Sequence, residues 1–168
     1  MLTSDFPAMA RYNRWMNERL YACCEKLSDA ERKRDRGAFF RSIHGTLNHL
    51  LLGDRLWLSR FLSREFRFKT LADELYADFA ELAREREKTD AEILDWVETL
   101  DEKRLAAPLE FHSVVRNRDH RFPMGFLAQN FFNHQTHHRG QVTTLLMQAG
   151  VDPGVTDLLW LPGMEEPA

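Results

Sequence analysis

Four stretches of about twenty residues carry apolar side chains at spacings of three and four, and that rhythm constrains the fold more than any other feature of the chain. The first, over residues 6–27, aligns Met9, Tyr12, Met16, Leu20 and Cys23/Cys24. The second, over 39–62, aligns Ile43, Leu47, Leu50, Leu51, Trp57, Leu58 and Phe61 and tolerates Gly45 and Gly53 inside it. The third runs from Thr70, which stands three residues before Asp73 like a capping box with Asp in the Glu/Gln place, to about Leu100. Its middle, ELAREREKTDAE, is so charged that only a narrow stripe of Leu75, Phe79, Leu82, Ile93, Trp96, Val97 and Leu100 remains, which predicts an outer position. The fourth covers 126–149, with Pro123 suited to its first turn and Gly150 to its end.

Between these stretches the rhythm fails in distinct ways. Ser28, Asp29 and the charged run to Gly37 read as a capped, solvated turn. Over 101–123, Pro108 is followed by two extended pieces flanking the turn-like Arg116 to Asp119, which fits a hairpin or a long loop. The tail holds Leu158, Leu159, Trp160 and Leu161, too apolar to be left in water, and is expected to pack back onto the helices. A chain of 168 residues without internal repeats then fits one domain, 1–168. The expected fold is all-α: an antiparallel four-helix bundle with a long connection, holding a short hairpin or loop, before the last helix.

Charge and composition exclude several classes of function. A formal net charge of −3 removes the basic footprint of sequence-independent nucleic-acid binding. The two cysteines, Cys23 and Cys24, are adjacent, a spacing that suits neither an ordinary disulfide nor a C-x-x-C site. MLTSDFPAMARYNRW has no basic segment followed by an apolar one, and no run of 18 apolar residues occurs. A cytoplasmic protein with no membrane partner is expected.

The chemistry concentrates in histidines. In FFNHQTHHRGQ, His134 and His138 lie about 40° apart around a helix axis and one turn apart along it, so both can aim at one point. Seven histidines in this length give about 0.25 such pairs by chance, so spacing alone decides nothing. Register adds more, because Leu127, Phe131, His134, His138, Val142 and Leu145 form one stripe, and two imidazoles inside an apolar stripe need a partner. Two partners remain open: a divalent metal ion, or hydrogen bonds to carbonyls or to Asn130, Asn133 and Gln141. His137 points some 60° from His134 and is read as a non-ligand, while Gly140 fits either a close helix approach or a tolerated small residue.

A third ligand has to come from another helix. His44 and His49 lie about 140° apart and cannot share a site; His49 is in register with Ser42, Thr46, Gly53 and Leu56, where small neighbours leave room, and is the choice. Three neutral imidazoles without a carboxylate leave a divalent ion its full charge and at least one open position, the catalytic rather than the closed structural form. Zinc is the default ion, and nickel, iron and manganese suit the same donors.

SIHGTLNHLLLGDRLWL, HQTHHRGQ and YNRWMNERL together resemble the DinB family, most specifically in the N-H-x-x-x-H-R-G-Q string of Asn133 to Gln141 and the T-L-x-H-L string holding His49. The resemblance covers most of the chain and implies a four-helix bundle, often a homodimer, with metal ligands at His49, His134 and His138. It also implies metal-dependent chemistry on a small-molecule substrate: relatives include thiol S-transferases using bacillithiol or mycothiol, a mycothiol-dependent isomerase, and proteins taken as metal-dependent hydrolases. A low-molecular-weight-thiol transferase is the first expectation, with Arg55, Arg116, Arg118, Arg121 and Arg139 considered for the thiol's carboxylates but read as solvated. A hydrolase is the second, with Asp54, Glu110, His112 and His120 as the available acids and bases. The third is a non-enzymatic metal-binding stress protein, which a site opening into a cleft among Trp15, Trp57, Phe131 and Trp160 would disfavour.

Overall fold

Helices begin where the sequence supplies an acceptor for the free amides of a first turn. In the computed structural model, which describes residues 5–113 and 115–164, Asp5 accepts from the Ala8 amide and opens α1 (Phe6–Glu25). Residues 1–4, which begin the stretch read for a leader, Val114 in the long connection and 165–168 at the end of the tail lie outside the described residues. Ser28 caps a short helix, α2 (Asp29–Lys33), where only a turn was expected. Ser42 caps α3 (Ile43–Phe61), four residues later than the apolar rhythm predicts, because a tight turn at Ala38–Arg41, with Arg41 at a φ of 67°, precedes it. Asp78 caps α4 (Phe79–Val97) and Asp101 caps the short α5 (Glu102–Ala106).

The start predicted at Thr70 is corrected. Asp73 accepts from the Lys69 and Thr70 amides and from the Thr70 hydroxyl, so its carboxylate closes a turn on the residues before it and leaves Leu75 in the connection. The connection over 101–123 does contain a hairpin: β1 (Pro108–Ser113) pairs antiparallel with β2 (Arg118–Pro123). Its two strands are the hairpin alternative expected there, and they set the chain slightly apart from a purely helical fold. Pro123 ends β2, and α6 (Met124–Gln148) starts with the Met124 amide donating to the Ala107 carbonyl.

The four long helices pack in a ring: α1 against α4, α4 against α3, α3 against α6, and α6 against α1. Two apolar clusters fill it. One gathers Leu20, Leu47, Leu51, Leu82 and Leu146, the other Ala10, Phe61, Trp96 and Phe131, with the Phe61 and Trp96 rings stacked 4.4 Å apart. Chain order through the clusters fixes direction: α3 and α4 enter at the first and leave at the second, whereas α1 and α6 run the other way. Asp54 therefore meets Arg86, and about two to three turns further on Phe61 meets Trp96. Neighbours α3 and α4 are parallel, and so are neighbours α1 and α6, which corrects the antiparallel expectation for both pairs; residues 62–78 form the return that the parallel α3 and α4 require.

Between the clusters lies a polar layer to which every long helix contributes. Arg86 pairs with Asp54 at 2.6 Å and Asp90 at 2.7 Å; Asn13 and Asn17 donate to Asp90, and Arg139 donates to the Asn13 side-chain carbonyl. The charged middle of α4 thus hides two buried charges, Arg86 and Asp90, beside the exposed Glu81, Arg84, Glu87 and Lys88. In the tail, Leu161 is buried, whereas Leu158, Leu159 and Trp160, in a single 3-10 turn, are exposed. The tail is held by its backbone instead: the Tyr12 hydroxyl donates to the Thr156 carbonyl and Arg19 to that of Pro153. No described helix is long and apolar enough to cross a membrane.

Candidate metal centre

α3 and α6 run antiparallel and bring His49 opposite His134 and His138. The His49 Nε2 lies 3.4 Å from His134 Nε2 and 3.2 Å from His138 Nε2, and one ligand nitrogen from each ring falls within 4.8 Å of the others. His49 and His138 are buried and His134 half-buried. Burial lowers the basicity of all three, to about 4 for His49 and His134, so each ring is neutral near pH 7, the form that binds metal.

Hydrogen bonds on the outer nitrogens decide what the inner ones can be. His49 Nδ1 donates to the Leu71 carbonyl and His138 Nδ1 to Gln141 Oε1, each at 2.8 Å. A neutral imidazole has one N–H, so both of these rings present a bare lone pair to the shared centre. A proton on His134 Nε2 would satisfy one of them and leave the other facing a lone pair across 3.2 Å. A divalent cation satisfies all three at once, and outer hydrogen bonds of this kind are how metal-bound histidines are oriented. The donor set therefore fits a metal ion. Gln141, one of the amides considered for a metal-free arrangement, is present in the supporting role, while Asn130 and Asn133 are exposed.

Three further elements shape the centre. The turn closed by Asp73 presents the Leu71 carbonyl, and His44 and Asn48 pin the same connection by donating to the Tyr76 carbonyl. Phe40, from the turn before α3, stacks on His49 at 3.8 Å and meets His138 edge-on at 5.6 Å, shielding one side. Gly53 makes room: a Cβ there would lie 3.0 Å from His134 Cε1.

On the side away from Phe40, His49 and His134 face a cleft of about 290 Å³ between α3, α6 and the hairpin. Trp57, Phe111, Phe122 and Phe126 form its walls, with Arg60 and His120 as its ionisable groups besides those two histidines among the described residues. Among the aromatics considered beforehand only Trp57 lines it; Trp15 is partly buried, Phe131 is core and Trp160 is exposed.

The other candidates disperse. His44, 2% exposed, belongs to the loop anchor and not to the centre. His137 is exposed and touches Gln141. Asp54 is no surface acid but a member of the buried layer, and Arg139, read as solvated, is 3% exposed in that layer. Arg55 is half-buried and paired with Glu85; Arg116, Arg118 and Arg121 are exposed on the hairpin. Glu110 pairs with Arg121 and His112 with Asp119 on the outer hairpin surface. His120 alone of the four proposed acids and bases reaches the cleft, stacked between Phe111 and Phe122. Sequence reasoning missed Arg60, Phe40 and the Leu71 carbonyl. Arg60 had a signal, since it continues the His49–Gly53–Leu56 face; a backbone carbonyl in a loop has none.

The DinB family model matches residues 1–168. A curated relative, Protein DinB of Bacillus subtilis (strain 168), is 27% identical over 168 residues, covering 92% of each chain. The crystal structure of a DinB-like protein from Bacillus cereus ATCC 10987 superposes with a TM-score of 0.60 at 20% identity, covering 84% of this chain and 91% of that one.

Proposed function

The chain belongs to the DinB family, and from that premise we propose that it is a metal-dependent enzyme that transfers a low-molecular-weight thiol to a small electrophilic substrate. The observation that carries the reading is the convergence of His49, His134 and His138, two of them with lone pairs fixed inward, at the inner end of a substrate-sized cleft. A divalent ion held there, zinc by default and nickel, iron or manganese as alternatives, supplies a charge that keeps a bound thiol ionised near neutral pH. The chain's own residues do the rest. Phe40 excludes water from one side, the aromatic walls hold the apolar part of the electrophile, and the thiol sulfur forms its bond to carbon as the leaving group departs with its electron pair and the thiol proton passes to solvent.

Two further elements of the reading follow the family. The ring of four long helices is taken as a four-helix bundle with α3 and α4 parallel, and the protein as a cytoplasmic homodimer, for which the exposed Leu159 and Trp160 offer apolar area.

A metal-dependent hydrolase is the second reading, favoured by His120, the one acid or base among the described residues of the cleft outside the three histidines and Arg60. A purely metal-storing role is disfavoured by the cleft itself. The test is elemental analysis of tag-free protein and of His49→Ala, beside turnover of an electrophile panel with and without added thiol. The expected result is one divalent ion per chain, lost in His49→Ala, and thiol-dependent turnover lost in His138→Ala. Turnover without thiol would replace transfer by hydrolysis, and activity indifferent to metal removal would end both readings.

A further inference from the structure

Arg60 is the one arginine or lysine among the described residues that line the cleft. Its guanidinium sits 4.7 Å from the Trp57 ring centre and 4.5 Å from that of Phe111, and it donates to the His112 carbonyl, yet it forms no ion pair among the described residues. Burial lowers its pKa from the usual arginine value, the mark of a charge taken from water without a counter-charge. Arg55 and Arg86, by contrast, are paired with carboxylates, while Arg19 and Arg139, which also form no ion pair among the described residues, lie away from the cleft, Arg19 on the Pro153 carbonyl and Arg139 on the Asn13 side chain. A guanidinium clamped between two aromatic faces keeps its fork rigid and its remaining N–H groups available.

Its position relative to the metal centre follows from the helix. Arg60 comes eleven residues after His49, so the two lie about 20° apart around α3 and about 16 Å apart along it. Long helical side chains lean back toward the N-terminus, and its stacking on Trp57, one turn earlier, agrees; the guanidinium is then on the order of 10 Å from the histidine centre. Between the two ends the cleft floor and walls are apolar: Gly53, Leu56, Trp57, Phe111 and Phe122.

We propose that Arg60 anchors an anionic group of the substrate, so that the cleft takes elongated organic anions: an apolar or aromatic body along Trp57 and Phe111, a carboxylate-like end on Arg60, and the reacting end at the histidines. The inference rests on the reading of this cleft as the substrate site, and it assigns the substrate class that the reading leaves open. A bidentate carboxylate–guanidinium pair in a half-buried site is worth enough to favour the anion over a neutral isostere by about 10- to 100-fold.

The probes are 4-phenylbutyrate and its neutral amide, titrated calorimetrically into metal-free and zinc-loaded protein. The expected result is a preference for the carboxylate of about 10-fold or more in both forms, reduced to near unity in Arg60→Met, which keeps the stem between the rings, and partly retained in Arg60→Lys, which keeps the charge without the fork. Equal affinity for the two probes in the wild type overturns the proposal. So does a preference that survives Arg60→Met and disappears on metal removal, since the carboxylate then sits on the ion. Metal content and thermal unfolding of both variants should match the wild type, which separates loss of the anchor from loss of the fold. The two failures stay distinct: thiol transfer with no carboxylate preference sinks the anchor alone, whereas an Arg60-dependent preference with metal-indifferent turnover sinks the transferase alone.

Discussion

Two buried polar clusters lie in the same ring of helices, and they differ in whether they can satisfy themselves. In the layer of Asp54, Arg86, Asp90, Asn13 and Arg139, every charged group meets at least one complementary partner and the two aspartates offset the two arginines, although Asp54 Oδ1, Arg86 Nε and Arg139 Nε find no hydrogen-bond partner among the described residues. In the centre of His49, His134 and His138, the outer nitrogens of two rings are spent on Leu71 and Gln141, so acceptor faces acceptor. His134 Nδ1 finds no partner among the described residues either. Buried polarity by itself is therefore no sign of function; polarity that only an added cation can satisfy is.

The sharpest way to break the comparison is to remove the charge at the middle of the closed cluster. Arg86→Met leaves Asp54 and Asp90 buried and unpaired, and should lower unfolding free energy by about 3–5 kcal/mol in denaturant titrations, while the folded fraction still binds one metal ion per chain. Adding Asp54→Asn and Asp90→Asn to it should recover most of that loss, because no uncompensated charge remains. Stability left within about 1 kcal/mol by Arg86→Met alone would mean that the layer does not hold the ring together.

The open cluster should respond in the opposite sense, through metal affinity rather than stability. Gln141→Leu removes the acceptor that holds the His138 N–H outward, and should weaken metal binding by about 10- to 100-fold, measured by chelator competition, with little change in the unfolding midpoint of metal-free protein. Unchanged affinity would show that His138 is oriented by packing against Phe40 alone.

Acid separates the two clusters as well. His49 and His134 titrate near 4 in the folded metal-free chain, against about 6.5 in the unfolded one. The unfolded chain therefore binds more protons between those values, so this contribution is absent above about pH 6.5 and destabilises progressively as pH falls toward 4. Thermal unfolding of metal-free protein should decline across that window, and His49→Ala should flatten the decline. A slope untouched by the substitution would assign it to other groups.

How much of this was legible beforehand follows the same division. The helical rhythm marks four long helices, and the register of His134 and His138 along one helix and of His49 along another points to the histidine cluster, since each depends on periodicity along a single helix. What periodicity cannot express is what crosses the ring. Nothing in ELAREREKTDAE distinguishes Arg86 and Asp90 from solvated neighbours until Asp54 and the asparagines of α1 are brought beside them. Thr70 and Asp73 carry the residue types of a cap, yet whether a carboxylate accepts from amides before or after it depends on backbone direction. The parallel course of α3 and α4 was hidden for the same reason, because a long charged helix prediction had absorbed the connection that allows it.

The smallest expected effect isolates the fit of the centre from the stability of the helix that carries it. Gly53 lies in the interior of α3, where replacing glycine by alanine ordinarily stabilises by about 0.5–1 kcal/mol. Here the new Cβ would meet His134 Cε1 at 3.0 Å, close enough that the ring must move by a few tenths of an ångström. His134 is free to give, because its outer nitrogen is not tied. Gly53→Ala should therefore raise the unfolding midpoint of metal-free protein slightly and weaken metal binding at the same time, a sign difference that a mutation acting only on the fold does not produce. If both quantities rise together, the glycine is serving helix packing and not the room His134 needs; if both fall, the contact is tighter than the ring can relieve.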